Sequence, residues 1–323
     1  HRDLHSFPTR RSSDLLSAFG DLNTKEYYAF YRTFYQIVNE LNAEMKPAVP
    51  LLVGGPATTG RPPDSHLREF VALYAEDADP GKRLDFLSYH YYGDEKWSEA
   101  AEFEKRMTDL LDAHKIPSDI PMFWDEMGFT GSPWKVLPVA RELNRLQASC
   151  VTAFQYFSRK NRKLHVLPWV TFHSPSQTAL TQFVYAPDGS LRLTPFGMTV
   201  KCWGMQKRDE VAAESTGLRT DGGGLGAMGS ADESGAAVLL WNHQHLACEV
   251  DLDVAGLPEG LGKGWRVRRY LVDSRHSNCY VDLTKAVSLE SVEESVGSGQ
   301  RVARRFVMEP YAVSLLVFGP DAK

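Results

Sequence analysis

The chain has 323 residues, 43% hydrophobic and 24% charged, with a net charge of -5. That is ordinary globular composition, long enough for a large domain with a smaller one attached, and it excludes a polybasic surface for nucleic acid or for an anionic membrane. No stretch approaches the roughly 18 apolar residues of a membrane-spanning helix. Cys150, Cys202, Cys248 and Cys279 stand far apart with no CxxC and read as buried free thiols, not as a metal site or a disulfide framework.

The opening stretch, HRDLHSFPTRRSSDL, has neither a helical nor a strand period. One choice of codons for it spells a nucleotide string that resembles a common short-read sequencing adapter. Residues 1–15 are therefore expected to be a non-biological scar and are left out of fold reasoning. The alternative is a basic N-terminal tail.

From Asn23 the pattern becomes regular. Tyr27, Phe30, Tyr31, Phe34, Ile37, Val38, Leu41 and Met45 recur at helical spacing, and Asn23 with Glu26 fits a capping box. The aromatic stripe reads as core. Pro47 and Pro50 end the helix, and the run from Pro50 to Pro56 reads as a fully buried strand. Alternation continues: a helix over 64–74, a strand over 84–90, a helix over 98–114, a strand over 120–126, a helix over 138–159, a strand over 164–172 and a helix over 194–206. Such alternation predicts a parallel sheet flanked by helices. After about residue 207, glycine-rich turns separate short alternating runs at 236–241, 249–254, 265–272 and 313–318, which predict antiparallel strands in a sandwich.

In a parallel α/β barrel the chemistry lies where strands run into the following loops. This nominates Gly54-Gly55-Pro56, Ser88 to Gly93, Trp124 to Gly128 and Trp169 to His173. Carboxylates beside aromatic faces suit carbohydrate chemistry, because a sugar ring stacks on Tyr or Trp. Each candidate has a bland alternative: Glu126 as a surface carboxylate, His90 as a satisfied histidine at a sheet end, Trp169 as core. Strand alternation puts Asp125 and Glu126 on opposite faces, so only one of them is expected in the pocket. His243, His245 and His276 lack partners at ligand spacing, and no metal or cofactor is implied.

These strand ends, in this order, resemble glycoside hydrolase family 39, which holds β-xylosidases and α-L-iduronidases. The matching pieces are Lys25 to Val38, Leu52 to Ala57, Ser88 to Gly93, Met122 to Glu126, Leu239 to Asn242 and Val272 to Asn278. The resemblance covers nearly all of the chain after residue 16. It implies an α/β fold: the C-terminal half of a (β/α)8 TIM barrel over 16–207, followed by an all-β sandwich over 208–323. It implies that Glu126, ending the seventh strand, matches the nucleophile. His90 and Tyr92 match sugar-contacting residues, and Trp169 falls near a pocket-lining tryptophan. Trp124 is a further candidate sugar platform. Asp125 departs from the family, which commonly has a hydroxyl residue there.

The resemblance further implies a retaining two-carboxylate mechanism whose acid/base is the Glu of a Trp-Asn-Glu-Pro segment. No Asn-Glu-Pro occurs in the sequence, and only about four parallel strands follow residue 16 where a closed barrel needs eight. The expectation is a fragment of a β-xylosidase-like enzyme, itself inactive. The partner is an oligosaccharide or glycoside substrate; a homo-oligomer is compatible with it. A sugar-binding pseudo-enzyme, an iduronidase-like specificity and an interaction domain worked by the sandwich stay open. A soluble protein, cytoplasmic or secreted, fits equally.

Overall fold

A computed structural model of the chain describes residues 23–59, 63–93, 97–129, 137–161, 163–168, 171, 180–283 and 287–321. Residues 1–15 and Trp169 lie outside them. The described residues fall into two compact units. One is drawn from residues up to 92, 99–127 and 158–168, the other from 93–98, 128–157 and 169 onward.

The first unit opens with α1 (Thr24–Met45). The Asn23 side chain accepts from the Lys25 and Glu26 backbone N–H groups, and the Asn23 N–H donates to Glu26 Oε2 at 2.9 Å, completing the expected capping box. The expected buried face needs correction. Tyr28, Tyr31, Tyr35 and Val38 are buried, whereas Phe30, Phe34, Ile37 and Met45 are exposed. Apolar residues cover a broad arc of this helix, and the tyrosines that turn inward are those whose hydroxyls find partners. Tyr28 and Tyr35 donate to Asp77 Oδ2 at 2.9 and 2.8 Å, and Tyr31 donates to the Arg83 carbonyl at 2.6 Å. Phe70 of α2 (Ser65–Glu76) packs edge-on against the Tyr31 ring at 4.9 Å.

Four strands follow, hydrogen-bonded in chain order: β1 (Gly54–Thr59), β2 (Phe86–Gly93), β3 (Met122–Phe129) and β4 (Leu164–Pro168). β1 pairs with β2 and β3 with β4 in parallel. α2 lies between β1 and β2 in sequence, α3 (Trp97–Ala113) between β2 and β3, and α4 (Leu137–Lys160) between β3 and β4. The run before β1 is not the buried strand expected. Val53 is buried, but Leu51 and Leu52 are exposed, because Leu51 exchanges both of its backbone hydrogen bonds with the Asn42 side chain.

The faces of this sheet differ. Leu87, Tyr89, Met122, Trp124, Leu164 and Val166 are buried on the helix side, where Phe103 of α3 meets the Trp124 ring. On the other side one row crosses all four strands: Gly54, Phe86, Phe123 and His165. The Phe86 and Phe123 rings lie 5.0 Å apart, and Phe123 stacks on His165 at 4.8 Å. A Cβ at Gly54 would stand 2.5 Å from the Phe86 ring, so only glycine fits the end of the row.

The second unit contains a hairpin, β5 (Phe183–Tyr185) with β6 (Leu191–Leu193), then α5 (Pro195–Gly204). Its six-stranded sheet runs in the order β12 (Glu290–Gly297), β11 (Trp265–Val272), β14 (Val313–Pro320), β9 (Gly235–His243), β8 (Gly224–Asp232), β7 (Asp209–Val211), with its pairs antiparallel. A second antiparallel pair, β10 (Cys248–Ala255) with β13 (Arg301–Met308), packs Val250, Val302 and Met308 against Val238, Leu240, Trp265 and Leu316 of the larger sheet. This shared apolar layer makes the expected sandwich. A short helix, α6 (Glu259–Gly262), adds Leu261. None of the four cysteines forms a disulfide among the described residues; Cys150, Cys202 and Cys279 are buried.

A Cβ at Gly226 would lie 2.0 Å from the buried Trp241 ring. Gly226→Ala is expected to destabilise the sandwich by about 1–3 kcal/mol, measured by urea unfolding followed through tryptophan fluorescence.

Candidate active site

The carboxyl-terminal end of the parallel sheet carries a compact polar cluster. His90 comes from β2, Asp125 and Glu126 from β3, and Tyr27 from the first turn of α1. The His90 imidazole stands between the two carboxylates: Nδ1 approaches Glu126 Oε2 to 2.7 Å and Nε2 approaches Asp125 Oδ1 to 3.3 Å. The Nδ1 approach lies off the N–H direction, so it is an ion-pair contact and not an aligned hydrogen bond. Glu126 is buried to 7% exposure.

A regular strand would not allow this. Opposite β4, Trp124 pairs with Val166 and Met127 with Pro168, so Asp125 and Glu126 together face the single residue Leu167. That is a β-bulge, which breaks alternation and re-aims side chains. The expectation that the two carboxylates lie on opposite faces is overturned by this extra residue. β1 carries a matching irregularity: Pro56 pairs with Ser88 and Thr58 with Tyr89, leaving Ala57 unpaired at φ 56°.

The electrostatics follow from crowding. Burial drives the Asp125 carboxyl up to about 6; a positive His90 and a hydrogen bond from Ser88 oppose the rise, and Glu126 adds to it. Burial alone would lower the His90 imidazole, but Glu126 and then Asp125 outweigh it, and its pKa lies above the usual histidine value. Tyr27 is pushed up to about 12 by burial and by Asp125. Its hydroxyl lies 3.0 Å from where a Cβ on Gly55 would begin. The sequence pattern places Tyr27 in the core; its position in the first turn of a helix is the available signal for a place near the site.

The other candidates divide. Tyr92 lies in β2, with its side chain outside the described part. Trp124 does not reach the site. It is 1% exposed, stacked on Tyr89 at 6.0 Å and edged by Phe103, which leaves no ring face for a sugar. Bulge and pleat together explain the correction: Trp124 precedes the bulge and keeps the helix-side orientation of Met122. Among the described residues, no group of three or more His, Cys, Asp or Glu stands where it could hold a metal ion.

No protein-family model matches the chain, and no curated protein matches it. Solved structures do. A GH39 enzyme from Xanthomonas axonopodis pv. citri is 14% identical with TM-score 0.66, over 92% of this chain and 65% of that one. A monomeric β-xylosidase from Caulobacter crescentus CB15 is 17% identical with TM-score 0.64, over 91% and 66%. The bacterial orthologue of human α-L-iduronidase is 14% identical with TM-score 0.70, over 97% and 61%. The chain has a GH39-like fold. It spans between 61% and 66% of the length of these three structures. On this GH39-like fold, the cluster of Glu126, His90 and Asp125 occupies the end of the parallel sheet.

The folded value for Asp125 lies above its unfolded one, so folding favours its protonated form. That contribution is full below a pH of about 4 and is lost as pH rises through about 6. Asp125→Asn keeps the shape and removes the titration. Relative to the wild type, the variant is expected to gain stability between pH 4 and pH 7, by no more than about 3 kcal/mol, in denaturant titrations at both ends of that range.

Proposed function

We propose that the chain is the nucleophile-bearing part of a retaining glycoside hydrolase that acts on terminal pyranosyl units, with β-xylosides as the leading class. The observation that carries this is a buried carboxylate, Glu126, at the end of a parallel strand and 2.7 Å from the His90 imidazole, on a fold shared with glycosidases. Within this reading the chemistry belongs to residues 16–207, and the sandwich over 208–323 is a separate domain. His90, with Tyr92 and Trp169, is assigned to substrate contact.

The proposed reaction has two displacements. A Glu126 carboxylate oxygen attacks the anomeric carbon, the bond to the leaving oxygen breaks, and an acid residue gives that oxygen its proton. Water then attacks the same carbon, loses its proton to the same residue, and Glu126 departs as carboxylate. The second carboxyl group must stand about 5–5.5 Å from the first. The sequence has no Asn-Glu-Pro segment to supply it, so we further propose that the 323-residue chain alone does not turn over glycosides with poor leaving groups.

A leaving group that needs no proton separates the two claims. With 2,4-dinitrophenyl 2-deoxy-2-fluoro-β-xyloside, the chain is expected to gain one fluoroxylosyl group on Glu126, found by peptide mapping, and Glu126→Ala is expected to gain none. A label elsewhere, or saturable binding with no label, overturns the nucleophile assignment; the second result favours a sugar-binding protein. Turnover of ordinary aryl xylosides at the rate of a complete β-xylosidase overturns the inactivity.

A further inference from the structure

We propose that Asp125 is a positioning residue: from the far side of the imidazole it holds His90 in the doubly protonated form, with Nδ1 turned toward Glu126. The argument is geometric. An imidazole with a carboxylate oxygen close to each nitrogen, 2.7 Å at Nδ1 and 3.3 Å at Nε2, is favoured as imidazolium, because a positive ring is attracted to both carboxylates and a neutral ring to neither. The bulge exists at the two residues that make the contacts. Without it one carboxylate would face the helices and the ring would have a single partner.

Among the described residues, Asp125 acts electrostatically on Tyr27 of α1 and on Tyr89 of β2, and Ser88 of β2 donates to Asp125. The two tyrosines are held protonated, by burial first and then by nearby carboxylates. His90 and Asp125 each shift the other, so they titrate as a coupled pair with apparent values that belong to both. The consequence for catalysis rests on the reading of Glu126 as nucleophile: the imidazolium keeps Oε2 engaged at 2.7 Å.

The test needs no turnover. The imidazole ¹⁵N shifts of the 323-residue chain are followed by NMR against pH, with His90 assigned by its loss in His90→Gln. In the wild type, His90 is expected to titrate above the ordinary histidine value and to show an earlier inflection as Asp125 ionises. In Asp125→Asn, which keeps the shape and removes the charge, the His90 pKa is expected to fall by about one unit and the earlier inflection to vanish. An unchanged His90 pKa in that variant, or a single ordinary transition in the wild type, overturns the proposal. Fluoroxyloside labelling reports separately. A failed label with an intact His90 shift removes the nucleophile reading and leaves the positioning contact standing; a normal label with no His90 shift does the reverse.

Discussion

The burial of Tyr89 and Trp124 is the constraint on which the polar end of the sheet depends. Each is the sequence neighbour of a cluster residue, His90 and Asp125, and each is closed off from solvent on the helix side, ring against ring. A strand has a period of two, so anchoring one residue inward commits the next to the opposite face. A slip of one residue in β2 or β3 would bury a charged group and expose a large aromatic ring, at a cost of several kcal/mol on both counts. The carboxylates and the imidazole are thus held where they are chiefly by apolar packing on the face they avoid.

The same division explains what the sequence made readable. The helices and strands of the first unit show in it because burial on one face writes a period: Phe103, Met107 and Leu111 on α3, Leu87 and Tyr89 on β2. Where burial is decided by something other than hydrophobicity, the reading failed. On α1 the choice between Tyr28 and Phe30 was made by Asp77, a hydrogen-bond acceptor distant in sequence. At Leu51 it was made by one asparagine side chain. The bulge in β3 left no trace in composition, since it is a fact about how many residues β4 offers opposite.

In the sandwich the strands rich in valine and leucine were legible and their neighbours were not. β8, GLGAMGSAD, looks like a string of turns, yet Gly226 is there because the Trp241 ring occupies the space of its side chain. β12, ESVEESVG, is polar because it is an edge, and its Glu294 pairs with Arg266 and Arg268 of the adjacent strand. The β5–β6 hairpin turns at Asp188-Gly189, a strong local signal that the short flanking strands obscured. Of the candidate site, His90 and Glu126 were legible from their place at strand ends. Asp125 was legible as a departure but not as a partner, and Trp124 was misread because aromatic character does not say which way a ring points.

One consequence of the β3 bulge concerns how such a site is gained and lost. Two residues oppose one there, so the strand is longer by one than regular pairing with β4 allows. Losing a single codon, that of Asp125 or of Glu126, would heal the ladder and leave a more regular sheet. It would also leave one acid where there had been two, and an imidazole with only half its company. The irregularity and the chemistry are the same residue counted twice, and the smallest possible deletion removes both at once.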